Sequence, residues 1–271
     1  MTTNIKTYVI SLERVRQRRK YIIDHCKNLN IDYQIIEAID GNLLTQQDLE
    51  KNCDIETVTR LRYWLTNGAI GCALSHLKAY QEFLKSNEKF AFVIEDDAVL
   101  PKDIKTILTE AISKIDSNEI VLLYYTSFKP AKLSNINKIA LSSSYLCFPM
   151  NVHQPITATA YIIGRQAATN LSNNIIPIKV AADSWGYYYD NGNFNSFRVQ
   201  FPMSVKTMNF KSSIDYLDKN SWKAKISSLV DKYKVPLFYQ ILAFKRKQIL
   251  NKMLNHFELT NEKSPFDKKI N

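Results

Sequence analysis

Three consecutive carboxylates, Glu95, Asp96 and Asp97, follow directly on the apolar run Phe90–Ile94. That run is short and rich in β-branched and aromatic residues, which reads as a buried strand. Side chains alternate along a strand, so Glu95 and Asp97 leave it on one face and Asp96 on the other. Three adjacent negative charges repel one another and need a positive partner, for which a hard divalent cation with oxygen ligands is the natural choice. Without such a partner the same triplet would be a solvated acidic turn. Pro101, four residues on, keeps the chain from re-entering the sheet.

Other residues with chemical potential lie elsewhere in the chain. Asp183 and Asp190 bracket the aromatic stretch Trp185-Gly-Tyr-Tyr-Tyr189, and aromatic faces beside a carboxylate suit the apolar faces and hydroxyls of a sugar. The same stretch reads equally as core aromatics behind a helix cap. Ser75 and His76 sit in a segment of small residues, Gly68, Ala69, Gly71, Cys72 and Ala73, that permits close backbone approach. A single histidine on a helix is more often structural than functional. Near the start, Ser11 and Leu12 end a strand pattern, and Arg14, Arg16, Arg18 and Arg19 follow at once. Arginines at a helix N-terminus form a plausible anion site, because donors and dipole point at one spot.

The elements that must position these residues can be read in order. Ile5–Leu12 is a buried strand; the helix after it turns Val15, Ile22, Ile23 and Cys26 inward and leaves the four arginines on or beside its exposed face. Tyr33–Ala38 is a second strand, and Glu37 and Asp40 place carboxylates at its end, before the turn at Gly41. Strand, helix, strand with a closing carboxylate is the pattern of a nucleotide-binding α/β unit. Helical patterns follow over Ile55–Leu65, Asn67–Leu84 and Asp103–Ile115, with strands at Ile120–Tyr125 and Thr157–Gly164 and a helix at Arg165–Leu171. Residues 126–155, which include His153, read as irregular or hairpin structure. No GxGxxG or Walker loop occurs among only six glycines, which disfavours a dinucleotide cradle or P-loop.

Composition narrows the class. The chain has 271 residues, 45% hydrophobic and 23% charged, enough for one large domain or a domain with an appendage. No run is long and apolar enough for a transmembrane helix, and the N-terminus enters a strand without a signal-peptide pattern, so a cytoplasmic location is expected. The four cysteines lack metal or disulfide spacing and read as free thiols. The net charge of +10 is concentrated: residues 219–256 hold nine Lys or Arg against one acid, Asp231. The organisation expected is therefore an α/β domain over residues 1–218 and a basic tail over 219–271.

Taken together, the segments YVISLERVRQRR, AIDG at 38–41, GAIGCALSH at 68–76, FVIEDDAVL at 92–100, TATAYIIG at 157–164 and AADSW resemble glycosyltransferase family 25, the bacterial lipopolysaccharide and lipooligosaccharide sugar transferases. The likeness spans roughly residues 5–210. It implies a GT-A-like nucleotide-binding fold with a central, mostly parallel sheet. It also implies a UDP-sugar donor, most often UDP-galactose, a divalent metal, Mn²⁺ or Mg²⁺, and inverting transfer to a saccharide hydroxyl. The usual DxD motif stands here as Glu95-Asp96-Asp97, making Asp97 the firmest ligand and leaving the division between Glu95 and Asp96 open. Ser11, Leu12, Arg14, Arg19, Glu37, Asp40, Ser75 and His76 then belong around the donor, and Asp183, with Asp190 second, is the candidate base.

Two other classes compete. A metal-dependent phosphohydrolase could use the same acids, but it would normally need more His and Asp ligands, and only four histidines are present. A nucleic-acid or membrane-binding module would rest on the tail alone, and the nearly neutral first 218 residues argue against nucleic acid. The tail mixes its cations with Trp222, Ile226, Leu229, Leu237, Phe238 and Phe244, and Pro236 splits it, which predicts two amphipathic helices. Helices of that kind lie in an anionic membrane interface, where a glycolipid acceptor would be found; packing on the domain or a homodimer contact is the alternative.

Overall fold

The computed structural model describes residues 5–61, 65–208 and 257–267. In chain order the elements are β1 (Lys6–Ser11), α1 (Arg16–Asn28), β2 (Tyr33–Glu37), α2 (Gln46–Asn52), α3 (Ile55–Arg60) and α4 (Asn67–Leu84). Next come β3 (Phe90–Glu95), β4 (Ala98–Val99), α5 (Ile104–Ile112), β5 (Glu119–Leu122), β6 (Ala131–Ser134), β7 (Ile139–Ala140) and β8 (Tyr145–Cys147). Then follow β9 (Ala160–Gly164), α6 (Arg165–Asn174), α7 (Trp185–Asp190), β10 (Ser196–Phe201), β11 (Lys206–Thr207) and β12 (Phe257–Thr260).

The main sheet has eight strands in the order β2-β1-β3-β9-β5-β10-β8-β7. It is mixed: β9 runs antiparallel to β3 and β5, and β8 antiparallel to β10 and β7, while β2, β1, β3, β5, β10 and β7 share one direction. The expected α/β class stands, with the reversed β9 inserted at its centre. Both faces of β3 are covered, which is why its sequence is a continuous apolar run rather than an alternating one. Ala91 and Val93 join the core under α4 and α6 with Tyr8, Ile70, Leu77, Phe83 and Tyr161. Phe92 and Ile94 join the opposite core under α1 and α5 with Val9, Ile22, Ile104 and Leu108.

The register of the three parallel strands positions the chemistry. Ser11 pairs with Glu37, and Ile10 with Glu95, so β2, β1 and β3 release their polar ends along one edge of the sheet. β9 begins at that edge, because Ala160 pairs with Ile94 and the Glu95 amide donates to the Thr159 carbonyl at 2.9 Å. α4 is pressed onto the turn after β2. A Cβ at Gly71 would lie 2.6 Å from the Ile39 carbonyl oxygen, and one at Gly41 2.1 Å from that of Asn67. The small-residue segment thus serves helix-to-turn packing, a contact only glycine permits.

The tail expectation meets described residues only at 257–267, where the chain is not helical. β12 pairs in parallel with β6, Ser264 Oγ donates to the Pro149 carbonyl at 2.7 Å, and the rings of Phe257 and Phe266 meet those of Tyr125 and Tyr189 edge-on. The predicted amphipathic helices, in 219–256, lie outside the described residues. Among the described residues no helix is long and apolar enough to cross a membrane.

Candidate active site

The acidic triplet at the end of β3 divides into three separate roles. Asp96 is buried and fully engaged: Ser11 Oγ donates to its Oδ2 at 2.8 Å, and an Arg18 NH2 nitrogen lies 2.5 Å from its Oδ1. The same guanidinium nitrogen lies 3.1 Å from Asp97 Oδ2, while Asp97 Oδ1 is buried without a hydrogen-bond partner among the described residues. Glu95 turns toward α4 and β9. Its Oε1 faces His76 Nε2 at 3.5 Å and Cys72 Sγ at 3.8 Å, and its Oε2 accepts from Thr159 Oγ1 at 3.4 Å. Both oxygens of Asp96 are thus met by protein donors.

Arg18 corrects the reading of α1. It was expected at the exposed face, yet it is buried, and with Ile22 and Cys26 it forms the inward stripe at i, i+4 and i+8. That spacing is the signal by which it could have been found. The arginine stem lies along the core and its head reaches the acids, a common division of labour for this side chain.

Asp183 arrives from the loop before α7. Its Oδ2 accepts the Thr157 amide at 3.2 Å, and Trp185 Nε1 donates to the Thr157 carbonyl at 2.9 Å. Thr157 sits at φ 83°, a left-handed conformation that a β-branched residue adopts only when its surroundings impose it. Asp183 and Trp185 are those surroundings.

The charges respond to this crowding. Burial and then repulsion from Glu95 push the Asp97 carboxyl up to about 7. Burial also raises Asp96, against the pull of Arg18 and Ser11, and raises Asp183, with Glu95 adding to the effect. Burial acts the same way on Glu95, but the facing His76, together with Arg18 and Thr159, outweighs it and keeps the group below the ordinary range. The two neighbouring acids are thus pushed apart, Glu95 downward by His76 and Asp97 upward by burial and the Glu95 charge. Among the described residues Arg18 meets Asp96 and Asp97 and His76 faces Glu95, which leaves the cluster rich in acids. Hard oxygen donors and an orphaned buried carboxylate oxygen fit a divalent cation of the Mn²⁺ or Mg²⁺ kind, which Asp97 and Glu95 could hold.

The remaining predicted residues fall into three groups. At the strand edge, Arg19 grips Glu37 through two bonds of 2.6 and 2.8 Å and also donates to the Ser11 carbonyl at 2.7 Å. Arg14, half exposed, pairs with Asp40, and Leu12 is half-buried, its carbonyl accepting the Val15 amide at 3.1 Å. These ion pairs hold Glu37 and Asp40 below the usual carboxylate range, the arginine hydrogen bonds being the main cause. On α4, the Ser75 hydroxyl is committed twice, donating to the Gly71 carbonyl and accepting the Ile39 amide. His76 is wholly buried, with Nδ1 2.7 Å from the Tyr161 hydroxyl. Asp190 stands apart, at the far end of α7 from Asp183, exposed and paired with His153 at 3.0 Å. Sequence reasoning did not single out Arg18, Cys72, Thr157 or Thr159 as members of this site.

The chain is 26% identical over 174 residues to the lipooligosaccharide biosynthesis protein lic2B of Haemophilus influenzae, covering 62% of each chain. It is 30% identical over 118 residues to human procollagen galactosyltransferase 2, covering 42% of this chain and 19% of that one. It is also 30% identical over 97 residues to the mouse inactive glycosyltransferase 25 family member 3, covering 34% and 16%. In each case the chain spans less than two thirds of the relative's length. The family model described as glycosyltransferase family 25 (LPS biosynthesis protein) matches residues 4–185, about two thirds of the sequence, and the chain belongs to that family.

Proposed function

We propose that this chain is an inverting, divalent-cation-dependent glycosyltransferase of GT-A-like architecture. Its reaction moves a hexose, galactose, from a UDP-sugar to a saccharide hydroxyl of a lipooligosaccharide. The observation that carries the reading is the gathering of Glu95 and Asp97 near the Arg18 guanidinium, with Asp183 close enough to feel the Glu95 charge, at the sheet edge where β1, β2 and β3 end. Ligands of α/β sheets bind at such edges. Family membership supports the reaction class, and the names of lic2B and procollagen galactosyltransferase 2 support the acceptor and the sugar.

The roles follow from the geometry. When bound, the cation supplies Lewis-acid stabilisation to the departing nucleoside diphosphate, and Asp97 and Glu95 would hold it. Arg18 and Ser11 lock Asp96, which keeps β3 and α1 in register beside the donor. Asp183 takes the proton of the attacking acceptor hydroxyl, a task for which a carboxyl raised by burial is suited. Trp185 and Thr157 hold that carboxyl in place.

The test is UDP release from a panel of UDP-sugars, with and without acceptor and with and without Mn²⁺. Release that depends on both acceptor and cation is expected; equal release without acceptor points to a hydrolase instead. Asp183→Asn is expected to lower kcat by about 10²–10⁴-fold while UDP-sugar affinity, measured by calorimetry, stays near wild type. Near-normal turnover in that variant would move the base elsewhere.

The basic stretch 219–256 is proposed to bring the enzyme to the cytoplasmic face of an anionic membrane, each Lys or Arg near the surface contributing about 1 kcal/mol. Because 257–267 return to the body of the protein, charge substitution tests this better than truncation. Changing Lys223, Lys225, Lys232, Lys234, Arg246 and Lys247 to Gln should abolish co-sedimentation with anionic vesicles at low salt. Undiminished sedimentation would show that the stretch is not the anchor.

A further inference from the structure

Cys72, His76 and Glu95 place three chemically different donors together. The sulfur, Nε2 and a carboxylate oxygen all lie within 4.8 Å of one another. Cys72 and His76 stand one turn apart on α4, so their side chains project from the same face, and Glu95 meets them from the end of β3. The separations from Glu95 Oε1 are 3.5 Å to His76 Nε2 and 3.8 Å to Cys72 Sγ. A tetrahedral zinc ion bound at 2.0–2.3 Å would hold such donors about 3.3–3.8 Å apart. The two separations from Glu95 fall in that range.

The imidazole is oriented for this task. The Tyr161 hydroxyl donates to Tyr80 at 2.9 Å and lies 2.7 Å from His76 Nδ1, so Nδ1–H donates to it in turn. The other ring nitrogen, Nε2, is wholly buried, makes no hydrogen bond among the described residues and faces Glu95. A ring nitrogen aimed at a carboxylate inside a protein requires something positive between them, either a proton or a metal ion. Metal-bound histidines are commonly oriented by a partner on the opposite ring nitrogen, the place Tyr161 occupies.

We propose that Cys72, His76 and Glu95 form a binding site for a borderline-soft divalent cation of the Zn²⁺ class, adjoining the hard-cation cluster around Asp97 and sharing Glu95 with it. The donor set favours that class: thiolate and imidazole select zinc over magnesium or manganese. Binding exchanges the thiol proton, released to solvent, for the metal–sulfur bond. Since Glu95 also serves the cluster around Asp97, an ion here withdraws one of its oxygens; that consequence rests on the function proposed above, whereas the binding does not.

The experiment uses the full chain stripped with a chelator and titrated with Co²⁺, whose bond to a thiolate gives a charge-transfer absorption in the near ultraviolet. A band saturating at one equivalent, bleached by Zn²⁺, lost in Cys72→Ala and kept in Cys53→Ala, is expected. No band in the wild-type chain, which would mean a proton alone fills the gap, or a band that survives Cys72→Ala, overturns the proposal. A second measurement needs no variant. Zn²⁺ at ten times its dissociation constant should slow alkylation of Cys72, located by peptide mass, by about tenfold. Alkylation of Cys72 at an unchanged rate would likewise overturn it.

Discussion

Asp97→Asn is expected to abolish sugar transfer and, in the ion-free protein, to raise stability at neutral and alkaline pH. The first effect follows from removing a holder of the cation, whose charge stabilisation is worth several kcal/mol, or about 10³-fold in rate. The second follows from the electrostatics of the free site. Asp97 is raised to about 7 by burial and by Glu95, from an ordinary value of 3.8. The folded protein therefore holds a proton that the unfolded chain has already lost between those two values. Stability from this group is greatest below pH 4, falls as pH rises toward 7, and is level above it. Asparagine imitates the protonated acid at every pH, so the variant should lose this slope and gain on the order of 4 kcal/mol at pH 8. Thermal unfolding of both proteins from pH 4 to pH 8, with and without Mn²⁺, measures this. Added cation should flatten the wild-type profile. A variant with the wild-type slope, or with normal transfer, would remove Asp97 from its assigned place.

Arg18→Met carries the largest expected loss of stability. Methionine preserves much of the packing that the arginine stem makes beside Ile22 and Cys26, so the change isolates the head group. Without it, Asp96 and Asp97 lose the positive charge that lies 2.5 and 3.1 Å away. Removing one partner from a buried ion pair costs about 3–5 kcal/mol, because the remaining charge stays buried without compensation. Lysine should recover only part of this, since a single ammonium cannot reproduce the reach of the guanidinium across two carboxylates. The loss should shrink at pH 5, where the acids protonate more readily, and in the double variant with Asp97→Asn. Urea denaturation is the measurement, and a loss below about 1 kcal/mol would mean that Arg18 is not the countercharge of the cluster.

The sequence by itself determined the features that depend on near neighbours. Phe90–Ile94 reads as a buried strand because its apolar run is unbroken, and the three acids after it mark the chemical end of that strand. The long helix Asn67–Leu84 and the paired strands around α1 were legible for the same reason. So was the family, from six short segments in a fixed order.

Only the tertiary structure decided how the three acids differ. Adjacent in sequence and alike in type, they are told apart by what lies opposite: Ser11 and Arg18 for Asp96, His76 and Thr159 for Glu95, and an unfilled oxygen for Asp97. Those partners lie 19 to 85 residues away in the chain. The burial of Arg18 was hidden because a charged residue within an arginine-rich run reads as solvated. The direction of β9 was hidden because an apolar strand carries no mark of its polarity, yet that direction brings Thr159 and Thr157 to the acidic edge. Asp183 resembles any loop aspartate until the Thr157 amide and the nearby Glu95 charge give it its environment. Local pattern is written in residues a few positions apart. The charge state and role of a buried acid depend on groups that only folding brings within a few ångströms.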